Sequence, residues 1–141
     1  MLTKINDHCV IPITYSRILA RCLSLKERSL ARLLNGTKLS SQCLISQDIF
    51  INSQQQTKII NNALELSQNS LLGLTLGRSL VPLTHGQVGL LISSSPDLLS
   101  ALKAFKQFLP HRLNFVDLQL DTSSMEVACQ LRCLLDTSDR I

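Results

Sequence analysis

Six side chains have the chemistry to orient a small polar ligand: Tyr15, Arg17, Arg21, Arg78, His85 and His111. Phenol, guanidinium and imidazole groups hold a carboxylate or a hydroxyl by hydrogen bonds, and these six stand next to leucine-rich segments. A small-molecule site needs that combination, an apolar body with a few convergent polar groups. No frame for catalysis accompanies them. The 3 histidines fall in a lead-in (His8), a turn (His85) and a stretch after a helix-ending proline (His111), outside any GxSxG or HExxH pattern. The 10 carboxylates do not pair into an acid–base dyad. The residues point to binding rather than to an enzyme, with no cofactor.

The 5 cysteines, at 9, 22, 43, 129 and 133, are odd in number and include no CxxC pair. Reduced thiols in a cytoplasmic protein fit that pattern. Cys129 and Cys133 share a strand face and His8 precedes Cys9, which raises a zinc site. Same-face strand residues four apart lie roughly 13 Å from each other, too far to share one ion, so no metal is expected.

With 141 residues the chain is long enough to bury a core as a single domain, 1–141. Aromatics are 4% and Trp is absent, so Leu, Ile, Val and Ala must build that core. The net charge of +4 comes from scattered Lys and Arg, not from the basic strip of a nucleic-acid binder. No signal segment or apolar run of ~20 residues is present, so a soluble protein with no membrane partner is expected.

The elements that must position the six candidates follow from periodicity. Residues 1–11 read as a lead-in. A helix then begins with Thr14 as N-cap, burying Tyr15, Ile18, Leu19, Cys22 and Leu23 and placing Arg17 and Arg21 four apart on another face. A second helix over 26–34 ends at Asn35-Gly36. The pair lacks the small-residue turn and the base-reading helix of a helix-turn-helix. Residues 37–51 read as an irregular connection with a short extended piece at 48–51. Asn52 with Gln55 forms a capping box for a helix that buries Ile59, Ile60, Ala63 and Leu64.

Asn69 caps the next helix, 70–78, in which Gly73 and Gly77 stand four apart. Glycine inside a helix costs ~1 kcal/mol against Ala, so close approach of a neighbouring backbone is the expected reason, and a packing or interface role follows. No Lys-Ser/Thr follows Gly77, which removes a phosphate loop. After a turn at 81–86, the run 87–92 is read as helix. Ser95 as N-cap and Pro96 at the first helical position open another, which Pro110 ends. Strands at 113–120 and 125–135 alternate around the turn 121–124, with Met125, Val127, Cys129, Leu131, Cys133 and Leu135 as one buried face. Residues 136–141 look like the start of a linker. The fold class is α+β: a mainly helical N-terminal two-thirds packed on a small antiparallel hairpin near the C-terminus.

Five segments carry a resemblance: Ile11-Pro12 with Tyr15-Ser16-Arg17; Leu33-Leu34-Asn35-Gly36-Thr37; Leu72-Gly73-Leu74-Thr75-Leu76-Gly77; His85-Gly86-Gln87-Val88-Gly89; and Ser94-Ser95-Pro96-Asp97-Leu98 with Ala101-Leu102. In that order and spacing they resemble the N-terminal arabinose-binding-type domain of AraC/XylS-family transcription regulators. Where that family usually has an aromatic before the first glycine of the fourth segment, this chain has His85. The resemblance implies a ligand-sensing and dimerisation domain that binds a small effector of open identity. It also implies a DNA-binding domain of helix-turn-helix units beyond residue 141, so that DNA is met only through that absent part. The rival reading is a dimerisation or adaptor module that needs no effector.

Overall fold

The structure, a computed structural model, describes residues 10–46 and 48–133. The lead-in with His8 and Cys9, the last two positions of the second predicted strand and the linker start lie outside those residues. Within them the order is β1 (Ile11–Pro12), α1 (Thr14–Cys22), α2 (Glu27–Leu33), α3 (Ser41–Ser46), β2 (Phe50–Ile51), α4 (Ser53–Ser67) and α5 (Leu72–Ser79). A 3-10 turn (Pro82–His85), α6 (Gln87–Ser93), α7 (Leu98–Arg112), β3 (Val116–Asp121) and β4 (Ala128–Cys133) complete it. The fold is α+β, helices first and an antiparallel hairpin last, as the sequence implies.

The first half gathers round one core. β1 pairs antiparallel with β2, Ile11 opposite Ile51, and the Ile13 N–H extends the pairing by donating to the Ile49 carbonyl at 3.0 Å. That bond leaves Ile13 as the residue flanking α1, without a side-chain cap, and Thr14 is already helical rather than the cap expected. α1 buries Ser16, Leu19 and Ala20. The Ser16 hydroxyl, fully buried, donates to Oε1 of Gln56 on α4 at 2.8 Å, so no polar group is stranded there. The segment expected to be irregular contains α3, whose Leu44 is buried.

α4 carries the expected capping box. Asn52 Oδ1 accepts from the Gln55 N–H at 2.8 Å while Gln55 Oε1 accepts from the Asn52 N–H at 3.1 Å. Its buried stripe is narrower than the sequence suggested: Ile59 and Ala63 are buried, but Ile60 and Leu64 are exposed. The place at Asn62 is filled by a polar contact instead. Its buried side-chain amide donates to the carbonyls of Leu33 at 2.8 Å and Asn35 at 2.9 Å. Those are orphan acceptors at the C-terminal end of α2, and the chain then turns through Gly36 at φ +78°.

The second half is built differently. α7 is capped by Asp97, not by Ser95: its carboxylate accepts the Ser100 N–H at 2.7 Å and the Ser100 hydroxyl at 3.1 Å. The backbone bond, then the hydroxyl, hold that carboxyl below its ordinary pKa. Pro110 does not end α7, which continues to Arg112 with the Leu113 N–H donating to the Leu109 carbonyl at 2.8 Å. A proline forfeits its own N–H bond and crowds the carbonyl four residues before it, yet here the helix runs two residues past it to Arg112.

α7 packs on α6 and on β3. The hairpin register sets Leu118 opposite Leu131 and Leu120 opposite Cys129. Leu118 is buried, but every described residue of β4 is exposed, so the buried face expected on that strand is not formed. α7 covers β3, and β4 lies outside it.

Candidate functional site

α1, α2 and α3 enclose a cleft of about 250 Å³ with an apolar floor, lined by Ala20, Leu25, Leu30 and Leu44 and by two arginines. The arginines stand one turn apart on α1, the spacing that puts side chains on one helix face. They are held differently. Arg17 donates from Nε to the Leu44 carbonyl at 2.6 Å and pairs with Asp48 at 3.4 Å, so it ties α1 to the end of α3. Arg21 is exposed, and its guanidinium makes no hydrogen bond or ion pair among the described residues. A fixed guanidinium, a free one and an aliphatic floor suit a small ligand carrying an anionic head and an apolar body.

The opposite side of α1 makes a second polar contact. Tyr15 Oη lies 3.1 Å from Nδ1 of His85, and the two rings are tilted with centroids 5.9 Å apart. His85 sits at the end of the 3-10 turn, where Gly86 takes φ +67° and lets the chain reverse into α6. Gly89 on α6 is the glycine that close packing demands: a Cβ there would stand 1.6 Å from the Pro82 carbonyl oxygen. The His-Gly-x-x-Gly segment is thus a device for folding α6 back on the turn that carries His85. Arg112 closes the group from the last residue of α7, donating to the Thr84 carbonyl at 3.3 Å while its buried Nε has no partner among the described residues. Burial first, and the Arg112 charge second, push the His85 pKa below its ordinary value, so His85 is neutral at pH 7.

Of the six candidate residues, the structure brings Arg17 and Arg21 to the cleft and joins Tyr15 to His85. Arg78 is exposed on α5. His111 is exposed at the end of α7, its ring centroid 6.3 Å from that of Phe108. Neither joins the others. Gly73 and Gly77 have no described atom within 4 Å of an added Cβ, so the close approach expected of them is not made within the described chain. Sequence reasoning missed Arg112, because it ended the helix at Pro110, and missed Leu44, because it saw no α3. Among the described residues no group of three or more His, Cys, Asp or Glu could hold a metal ion.

A model for the N-terminal arabinose-binding domain of AraC transcription regulators matches residues 28–139. The chain belongs to that family. No curated protein matches it. The matched span of this AraC-type domain contains α2 from its second residue, α3, His85 and Arg112, while α1, which supplies Tyr15, Arg17 and Arg21, precedes it. The side-chain hydrogen bonds from Tyr15, Ser16 and Arg17 to His85, Gln56, Leu44 and Asp48 therefore join a segment outside the match to the matched domain. No described helix is long and apolar enough to cross a membrane.

Proposed function

We propose that this AraC-type domain senses a small effector in the cleft between α1, α2 and α3, forms a homodimer, and passes effector occupancy to a helix-turn-helix DNA-binding domain elsewhere in its polypeptide. The reading assigns the domain no reaction and places it in the bacterial cytoplasm. Its single carrying observation is Arg21, a guanidinium with no described partner at the rim of an apolar cleft whose other guanidinium is already anchored. The effector is a small carboxylate or similar anion whose body rests on Leu25, Leu30 and Leu44. Occupancy changes output only if it favours one domain arrangement over another. α1 is the element able to do that, because it meets the effector on one side and His85 on the other.

Differential scanning fluorimetry with carboxylates, amino acids and sugars tests the reading. A ligand that binds only the folded state raises stability by RT ln(1 + [L]/Kd). A carboxylate is expected to raise Tm, and Arg21→Ala to abolish that rise while leaving the unliganded Tm unchanged. Arg17→Ala is expected to lower both, because it also unties α1 from α3. If no compound of the panel raises Tm, the domain is an effector-independent dimerisation or adaptor module.

A further inference from the structure

Every residue of β4 is exposed. Its Cys129, Leu131 and Cys133 share the face on which β3 presents Val116, Leu118 and Leu120. α7 covers that face at β3 but not at β4, and Leu131 is 64% exposed. The outer edge of β4 pairs with no described strand, which leaves a row of N–H and C=O groups ready to pair with another strand.

The strand is self-complementary when it is centred on Leu131. Opposed residues of an antiparallel pair share a face, so a two-fold pairing of identical strands must centre on a residue. Centring on Arg132 would set two guanidiniums against each other, a destabilising arrangement. Centring on Leu131 sets leucine opposite leucine and each Cys129 opposite a Cys133, a continuous apolar stripe. On the other face Arg132 then lies opposite a Gln130, the residue type its guanidinium already contacts at 3.1 Å along its own strand, while Asp117 on β3 flanks it with opposite charge.

From this we infer that a second copy of the chain docks on β4, edge to edge and antiparallel about Leu131, to form a four-stranded sheet in the order β3-β4-β4-β3. The seam is short of the ~800 Å² per partner that a stable interface buries, so the dimer is reversible and its population depends on concentration. It does not depend on the effector cleft, which lies in the other half of the molecule.

The cysteines give a direct readout. Within the hairpin Cys129 faces Leu120 and Cys133 faces Val116, so neither thiol has a thiol opposite it in its own chain. The pairing across the seam brings Cα atoms to about 4.5–5.5 Å, within disulfide range. Sedimentation equilibrium on the 141-residue chain is expected to show a monomer–dimer equilibrium. Leu131→Lys, at an exposed position, is expected to weaken it at least tenfold with an unchanged far-UV circular dichroism melt. Diamide, which takes up the two electrons and two protons released when two thiols join, is expected to yield a covalent dimer whose linked peptide carries Cys129 and Cys133. A monomer at every concentration, a dimer indifferent to Leu131→Lys, or a linkage through other cysteines would overturn the proposal. A chain that fails here but still gains Tm with a carboxylate would overturn this seam and leave the sensing role standing.

Discussion

Tyr15 and His85, 70 residues apart in sequence, meet at 3.1 Å. Their contact is the hydrogen bond that holds α1 to the 3-10 turn. In the neutral tautomer that carries its proton on Nε2, the His85 Nδ1 accepts from the Tyr15 hydroxyl. Protonation would turn that acceptor into a donor and set a second positive charge near Arg112.

That relationship gives the domain a pH dependence of defined sign. The folded-state pKa of His85 lies below the ordinary value of 6.5. Between the two values the unfolded chain binds the extra proton, so stability falls as pH drops below about 6.5 and levels off once the folded-state pKa has been passed. The Tm of the wild-type chain is expected to fall more between pH 7.5 and pH 5.5 than that of His85→Gln. Tyr15→Phe, which removes one hydrogen bond from a part-buried pair, is expected to lower stability by about 1 kcal/mol at pH 7.5. Equal slopes for wild type and His85→Gln in a thermal melt series would refute the assignment.

The glycines divide by their surroundings, and alanine substitution should divide them in the same way. At Gly73 and Gly77 an added methyl meets no described atom. Removing glycine from a helix there is expected to stabilise by up to ~1 kcal/mol. At Gly89 the methyl would enter the backbone of Pro82, and forcing α6 away from the turn is expected to cost about 1–3 kcal/mol. Urea denaturation of the three single variants reads the signs directly. A stabilised Gly89→Ala would mean that α6 does not pack on the turn as described.

Two asparagines whose side chains serve helix ends, Asn52 at the start of α4 and Asn62 within it, make a second contrast. Asn52→Ala removes an exposed N-cap and is expected to cost about 1 kcal/mol. Asn62→Ala removes the donor for the Leu33 and Asn35 carbonyls, and leaving the buried Leu33 acceptor unmatched is expected to cost about 1–3 kcal/mol. The larger loss belongs to Asn62, although only Asn52 carries a recognisable sequence signature. Chemical denaturation of both variants at one pH gives the order.

How far the sequence could be read follows from where its physics is local. The Asn52–Gln55 box, the glycine turn after α2 and the alternation of β3 are decided within a few residues, and each is found where expected. Asp97 displaced Ser95 as cap because two acceptor oxygens satisfy the Ser100 backbone and side chain together. α3 was missed because its single buried leucine gives no periodic signal in six residues. The exposure of β4 depends on how far α7 reaches across the sheet, which no spacing within the strand records. At the candidate site, residue chemistry picked out Tyr15, Arg17, Arg21 and His85, but their division between the two sides of α1 appears only in the fold. Arg112 stayed hidden behind a proline that usually stops a helix.

The uneven placement of buried side chains sets an order of opening. Of the described buried hydrophobic residues only Leu109 and Leu118 lie outside the cluster around α1, α2 and α4. Cooperative units with little buried apolar surface open at lower free energy than the whole molecule. The part comprising α6, α7 and the hairpin is thus poised to loosen as a unit while the first half stays closed, with Tyr15, Leu113 and Phe115 as the rivets that join the quiet half to the restless one.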